Sequence, residues 1–229
     1  MTSGPHFGRQ LIALMGKELA LEGRAGVRLN TLLPFAVLVL LLFSLAVGPV
    51  PALLCRLAPA FIWLALLLAS VLSLAQSQAV ETAHDAQEGL RLLGIGADVL
   101  YLAKALANTL FLSALGFVLL PLAMALYDAP VAASPGRLAL ALVLGAGAIS
   151  APGTLFAALT AQARNKDMLL PLLLFPILVP GLLASVRLTT LLMQGDPMQE
   201  ASGWLGLLLI FNALYWLLGV FLFERVVEG

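Results

Sequence analysis

Thr31-Leu-Leu-Pro-Phe-Ala-Val-Leu-Val-Leu-Leu-Leu-Phe-Ser-Leu-Ala-Val47 contains no charged residue and does not alternate apolar with polar positions. A run of this length suits one helical crossing of a bilayer, and the missing alternation argues against a barrel strand. Working outward, similar runs recur near 57–75, 102–126, 138–160, 169–190 and 203–223, so the sequence predicts six spans. The whole chain of 229 residues is 62% hydrophobic and only 10% charged. A soluble domain of this size has no interior able to hide so much apolar surface. Lipid must therefore cover most of it, and helices must pair their own backbone groups. The expected fold class is an all-α integral membrane protein formed as one transmembrane domain over 1–229.

The connections are short and rich in turn formers: Gly48-Pro49-Val50-Pro51, Asp128 to Pro130 with Ser134-Pro135-Gly136, and Gly195-Asp196-Pro197. The first long apolar run starts only near Thr31 and has no cleavage-site context, so it is expected to remain as an anchor. Arg9, Lys17, Arg24, Arg28, Arg91, Lys104, Arg164, Lys166 and Arg225 fall on one side of the spans, against Arg56, Arg137 and Arg187 on the other. By the positive-inside rule both termini are expected in the cytoplasm. Arg187 falls near the outer boundary, where it can snorkel.

Two cytoplasmic segments are more than simple loops. Over 6–24, Phe7, Leu11, Ile12, Leu14, Met15 and Leu19 share one side of a helical wheel, with Arg9, Lys17 and Arg24 opposite. This reads as an amphipathic helix on the membrane surface, in contact with lipid. Glu18 and Glu22 interrupt its stripe one turn apart, and they call for water or a basic partner. Lys104 and Asn108, one turn apart at the mouth of the third span, are expected to face protein or headgroups, with Glu18 or Glu22 as a possible partner of Lys104. Residues 76–100 form the longest polar connection and carry Glu81, Asp85, Glu88 and Asp98. Leu90, Leu92, Leu93 and Ile95 follow the acids, and apolar side chains outside the membrane call for a covering surface.

Catalytic chemistry is missing from the sequence. There is no G-x-x-x-x-G-K-[ST] phosphate loop, so ATP would have to be hydrolysed by another chain. There is no H-E-x-x-H and no Cys/His cluster, and His6 and His84 are the only histidines. Cys55 is the only cysteine and cannot form an internal disulfide. No catalytic or metal-ligating residue is expected. With 12 basic and 12 acidic residues the net charge is zero, which supplies no attraction for nucleic acid. The spans hold few polar groups, chiefly Lys104, Asn108, Ser113, Ser150 and Thr154. Gly145-Ala-Gly147 and Ser150-Ala-Pro152-Gly153 suit close helix contact, either within the chain or in a dimer. Pro171, Pro176, Pro180 and Gly181 predict that the fifth span is kinked or interrupted, with an outer hairpin over 182–202.

Four stretches carry a family resemblance over nearly the whole length: Lys17-Glu-Leu-Ala-Leu-Glu-Gly-Arg24, Tyr101-Leu-Ala-Lys104-Ala-Leu-Ala-Asn108, Gly153-Thr-Leu-Phe-Ala-Ala158 and Leu169-Leu-Pro-Leu-Leu-Leu-Phe-Pro-Ile-Leu-Val-Pro180. In these the chain resembles the CcmB family, also called heme exporter protein B, the membrane subunit of the cytochrome c maturation ABC transporter. The resemblance implies a six-helix subunit of the ABC-2 exporter type that pairs with a second copy of itself and with a CcmA-like ATPase. It also implies a CcmC-like heme-handling subunit and a CcmD-like small membrane protein. ATP and Mg would then sit on the ATPase and heme on partner subunits, with no cofactor held by this chain. Trp63, Trp204 and Trp216 are spread over separate spans, unlike the tryptophan-rich segment of the heme-handling subunit.

By the same analogy residues 76–100 are the coupling element. Glu88-Gly89-Leu90 matches the family's acidic-glycine-leucine signature, and Asp85, Leu92 and Leu93 complete the expected contact with the ATPase. Asp85 stands where glycine is common and Gly94 where proline is common. The alternatives are an ABC-2 permease for another apolar substrate, or a scaffold that recruits the ATPase and the heme-handling subunit without transport.

Overall fold

Each apolar run folds into a helix that outlasts it. The computed structural model describes residues 7–25, 27–83, 96–130, 134–161, 166–196 and 198–228, which among them hold seven helices and no strand. These are α1 (Phe7–Ala25), α2 (Val27–Val47), α3 (Pro51–Ala83), α4 (Ala97–Tyr127), α5 (Pro135–Thr160), α6 (Lys166–Gln194) and α7 (Ala201–Glu228). All but α1 are long and apolar enough to cross a membrane.

Turn chemistry sets several of the ends. Gly48 and Gly195 follow α2 and α6 with φ of 76° and 104°, in the left-handed region where a side chain would be strained. Asp128 ends α4 in the same region, φ 50°, its N–H returning to the Met124 carbonyl. Pro51 and Pro135 occupy first-turn positions, where a missing N–H costs no helical bond. Asp196 opens α7: its two carboxylate oxygens accept from Glu200 N at 2.8 Å and Ala201 N at 2.9 Å, which satisfies exposed amides and places negative charge at the helix N-terminus.

Two expectations need correction. The polar connection over 76–100 is shorter than read, because α3 continues to Ala83 and α4 has begun by Ala97. Residues 76–83 contain no Gly or Pro, and extending an established helix is cheap. Asp85, Glu88, Gly89, Leu90, Leu92 and Leu93 all lie in 84–95, outside the described residues. The fifth span is not interrupted: α6 runs unbroken through Pro171, Pro176, Pro180 and Gly181 to Gln194, so no outer hairpin occupies 182–202. Each proline removes one backbone donor, whereas a break within the membrane would leave several N–H and C=O groups without partners.

At the centre stands α5, which touches α3, α4, α6 and α7. The apolar stripe of α1 is used against protein: Leu14 is buried with Val99 and Ala103 of α4, and Phe7, Leu11 and Met15 pack around them. Ile12, read on the same stripe, is 73% exposed and faces away. Large apolar side chains also stand exposed on α2, α6 and α7, among them Leu45, Leu172, Val179, Ile210 and Phe221. In water such a surface would aggregate, whereas in a bilayer it is the lipid-facing belt.

Candidate functional site

The small residues of α5 bring four helices onto it, and the polar groups of the bundle meet around the resulting contacts. A Cβ at Gly145 would fall 2.6–2.7 Å from Cζ3 and Cζ2 of Trp63. One at Gly147 would lie 2.7 Å from Asn212 Oδ1, and one at Gly153 would lie 2.8 Å from Leu74 Cδ1. The glycines are therefore used for contacts within the chain, where backbone and side chain approach more closely than any Cβ permits.

Side-chain ties cross the bundle at several points. The Trp63 Nε1–H donates to Thr189 Oγ1 at 3.0 Å, joining α3 to α6. The Asn108 Nδ2 donates to Ser150 Oγ at 3.0 Å, joining α4 to α5. Asn212 Nδ2 donates to the Leu144 carbonyl of α5 at 3.0 Å and to Leu208 O in its own helix at 2.9 Å, while its Oδ1 accepts from Trp216 Nε1 at 3.2 Å. Away from lipid such groups keep their partners, because an unpaired amide in hydrocarbon costs several kcal/mol. Another tie mends a proline. Pro59 has no N–H for the Cys55 carbonyl, and Gln194 Nε2 at the end of α6 supplies a donor at 3.2 Å.

Several hydroxyls close on their own helix and take no part in these ties. Thr109, Ser113, Ser185 and Thr190 each donate to the carbonyl four residues back, at 2.7–2.8 Å. Ser70 Oγ and Thr154 Oγ1 are buried without a partner among the described residues. Those residues hold no group of three or more His, Cys, Asp or Glu able to bind a metal ion.

Of the residues singled out from sequence, Asn108 is buried and joined to Ser150, and Lys104 is half-buried one turn away. Glu18 and Glu22 belong to α1, but their side chains lie outside the described part. Pro176 and Pro180 are exposed on α6, and Gly181 is buried where a Cβ would meet Phe211 Cε1 at 2.8 Å, so its role is close contact with α7 and not backbone freedom. Sequence reasoning passed over Tyr101 as a tie, along with Asn212, Thr189 and Gln194. The signal for Asn212 was available, since it is an amide set in the otherwise apolar run Leu207-Leu-Leu-Ile-Phe-Asn212.

Membrane-length helices joined by buried polar ties, with small residues at their crossings, define a multi-pass helical membrane protein. The chain belongs to the CcmB family, whose model, described as CcmB protein, matches residues 9–228. It is 35% identical over 193 residues to heme exporter protein B of Pseudomonas aeruginosa, covering 84% of this chain and 86% of that protein. To the heme exporter protein B of Rhodobacter capsulatus it is 34% identical over 176 residues, covering 77% and 80%. The Haemophilus influenzae protein of that name is 34% identical over 173 residues, covering 75% and 77%.

Proposed function

We propose that this chain is the transmembrane subunit of an ABC transporter for cytochrome c maturation, and that it couples ATP hydrolysis on a separate subunit to heme delivery or to release of a heme-loaded periplasmic chaperone. The observation that carries the reading is the family match along residues 9–228, from α1 through α7. On this reading the chain sits in the inner membrane with both termini cytoplasmic and pairs with a second copy. It works with a CcmA-like ATPase, a CcmC-like heme-handling subunit and a CcmD-like small protein. ATP and Mg bind to the ATPase and heme to partner subunits. Within 76–100, Leu90, Leu92 and Leu93 seat in a groove of the ATPase beside Gly89, with Asp85 and Glu88 at its rim.

One observation favours the scaffold as a second reading: Thr109, Ser113, Ser185 and Thr190 spend their hydroxyls on their own helices, which leaves fewer groups to line a path. The deciding experiment replaces the chromosomal gene with a tagged copy beside either an active or a hydrolysis-dead ATPase. The transporter reading expects the ATPase and the heme-handling subunit to co-purify with the chain, and c-type cytochromes to disappear with the dead ATPase. Normal cytochromes with the dead ATPase would favour the scaffold. Normal cytochromes without this chain would refute both.

A further inference from the structure

Tyr101 opens the stretch Tyr101-Leu-Ala-Lys104-Ala-Leu-Ala-Asn108 and is fully buried in the second turn of α4. Its hydroxyl lies 3.2 Å from the Ala151 carbonyl of α5 and 3.2 Å from the Tyr215 carbonyl of α7, sharing one proton between them. Both carbonyls belong to unbroken helices and accept from the amide four residues on, so neither needs the phenol for satisfaction. The ring is seated on Gly219, where any Cβ would collide with it. Trp216 stands edge-on at 6.5 Å and Phe223 tilts at 5.4 Å. On the other face of the same turns, Val99 and Ala103 pack against Leu14 of α1. One short length of helix thus touches α1 on one side and is tied to α5 and α7 on the other, immediately after residues 84–95.

We propose that Tyr101 is a positioning residue that makes α5 and α7 follow when the start of α4 is displaced. The proposal rests on the reading that residues 76–100 receive the movement of the ATPase. A ring wedged against Gly219 resists compression, and a hydroxyl shared between two helices resists sliding, so a push on α4 reaches both neighbours. Phenylalanine at this position keeps the wedge and removes the tie. The start of α4 can then shift against α5 and α7 while the bundle, still tied through Asn108 and Ser150, stays assembled.

The test uses the full chain, labelled with 5-fluorotryptophan and assembled with the unlabelled ATPase subunit in lipid nanodiscs. The Trp216 fluorine resonance is assigned by its loss in Trp216→Phe. With the parent chain, ATP is expected to move that resonance. With Tyr101→Phe the shift and the yield of mature cytochrome c in cells should each fall about fivefold, the worth of one net hydrogen bond. ATPase co-purification and the KM for ATP should not change. A Tyr101→Phe chain that keeps both the shift and the maturation overturns the proposal and leaves the coupling reading standing. So does a parent chain that holds the ATPase without any shift. A variant that fails to insert or loses the ATPase also overturns it, because the hydroxyl would then be serving the fold. If the parent itself does not retain the ATPase, the coupling reading falls and the proposal falls with it.

Discussion

Gly145→Ala places one methyl group where the structure has least room for it. The added Cβ would sit 2.6–2.7 Å from two ring carbons of Trp63, a side chain that is 2% exposed and held by its Nε1–H on Thr189 Oγ1. The indole cannot swing aside without breaking that bond. Overpacking of this kind costs about 1–3 kcal/mol. Loss of the Trp63–Thr189 bond adds roughly 0.6 kcal/mol, the average for interhelical bonds in a membrane protein. Alanine offsets about 1 kcal/mol through its better helix propensity. The net is a loss of about 1.6 kcal/mol, a factor of roughly 15 in the folded-to-unfolded ratio. For a chain of this size that lowers the midpoint by about 3–6 °C. The assay is heating in detergent followed by size-exclusion chromatography of a fluorescent fusion. Gly206→Ala is the control, since a Cβ there meets nothing within 4 Å, and it should be neutral or slightly stabilising. Adding Trp63→Phe to Gly145→Ala should cost less than the two single changes summed. Equal midpoints for Gly145→Ala and Gly206→Ala would refute the reasoning.

On the proposed coupling role of 84–95, Leu90→Asp should weaken assembly with the ATPase by about 2–4 kcal/mol by placing an unpaired charge in the contact, and Glu88→Ala should do less if its carboxylate sits at the rim. Retained ATPase in a pull-down, together with cytochrome c yield, reads both, and full retention in Leu90→Asp would shift the coupling role to α1. Pro180→Ala restores a donor for the Pro176 carbonyl within an unbroken helix and should raise the thermal midpoint, by an amount corresponding to at most about 3 kcal/mol; a lowered midpoint would show that the proline is needed for packing. Asn108→Ala leaves Ser150 Oγ without its amide donor and should cost about 0.5–2 kcal/mol in the same heating assay.

Six spans were legible because an uncharged apolar run has only one economical fold in lipid, and the glycine turns at Gly48 and Gly195 follow from the same reading. Azimuth and depth were not legible. Asn212 stands out in a span-level reading as a single amide in an apolar run, whereas Tyr101 is one of several polar groups at the mouth of a span, and only the packed bundle shows that Tyr101 reaches two helices at once. Of the kink or interruption expected at Pro176 and Pro180, the interruption came from a rule for helices in water, where a freed carbonyl or amide can bind solvent; the bilayer removes that alternative and the helix is continuous. In α1, periodicity identified a face but not what covers it, and Ile12 was placed with Leu14 although the two point to different surroundings. The acidic and leucine-rich residues of 84–95 stand on the sequence alone.

The central position of α5 also bears on how the protein is made. Ribosomes deliver α3 and α4 before it and α6 and α7 after it, so half of its neighbours do not yet exist when it enters the membrane. It is the least apolar of the six spans, and its notches at Gly147 and around the Leu144 carbonyl are later filled by Asn212 and Trp216 of α7. A nascent chain halted after α5 would therefore expose its most polar and most indented surface to acyl chains. Truncated products ending there should be preferred substrates of membrane quality-control proteases, and release from that surveillance should coincide with docking of the last helix.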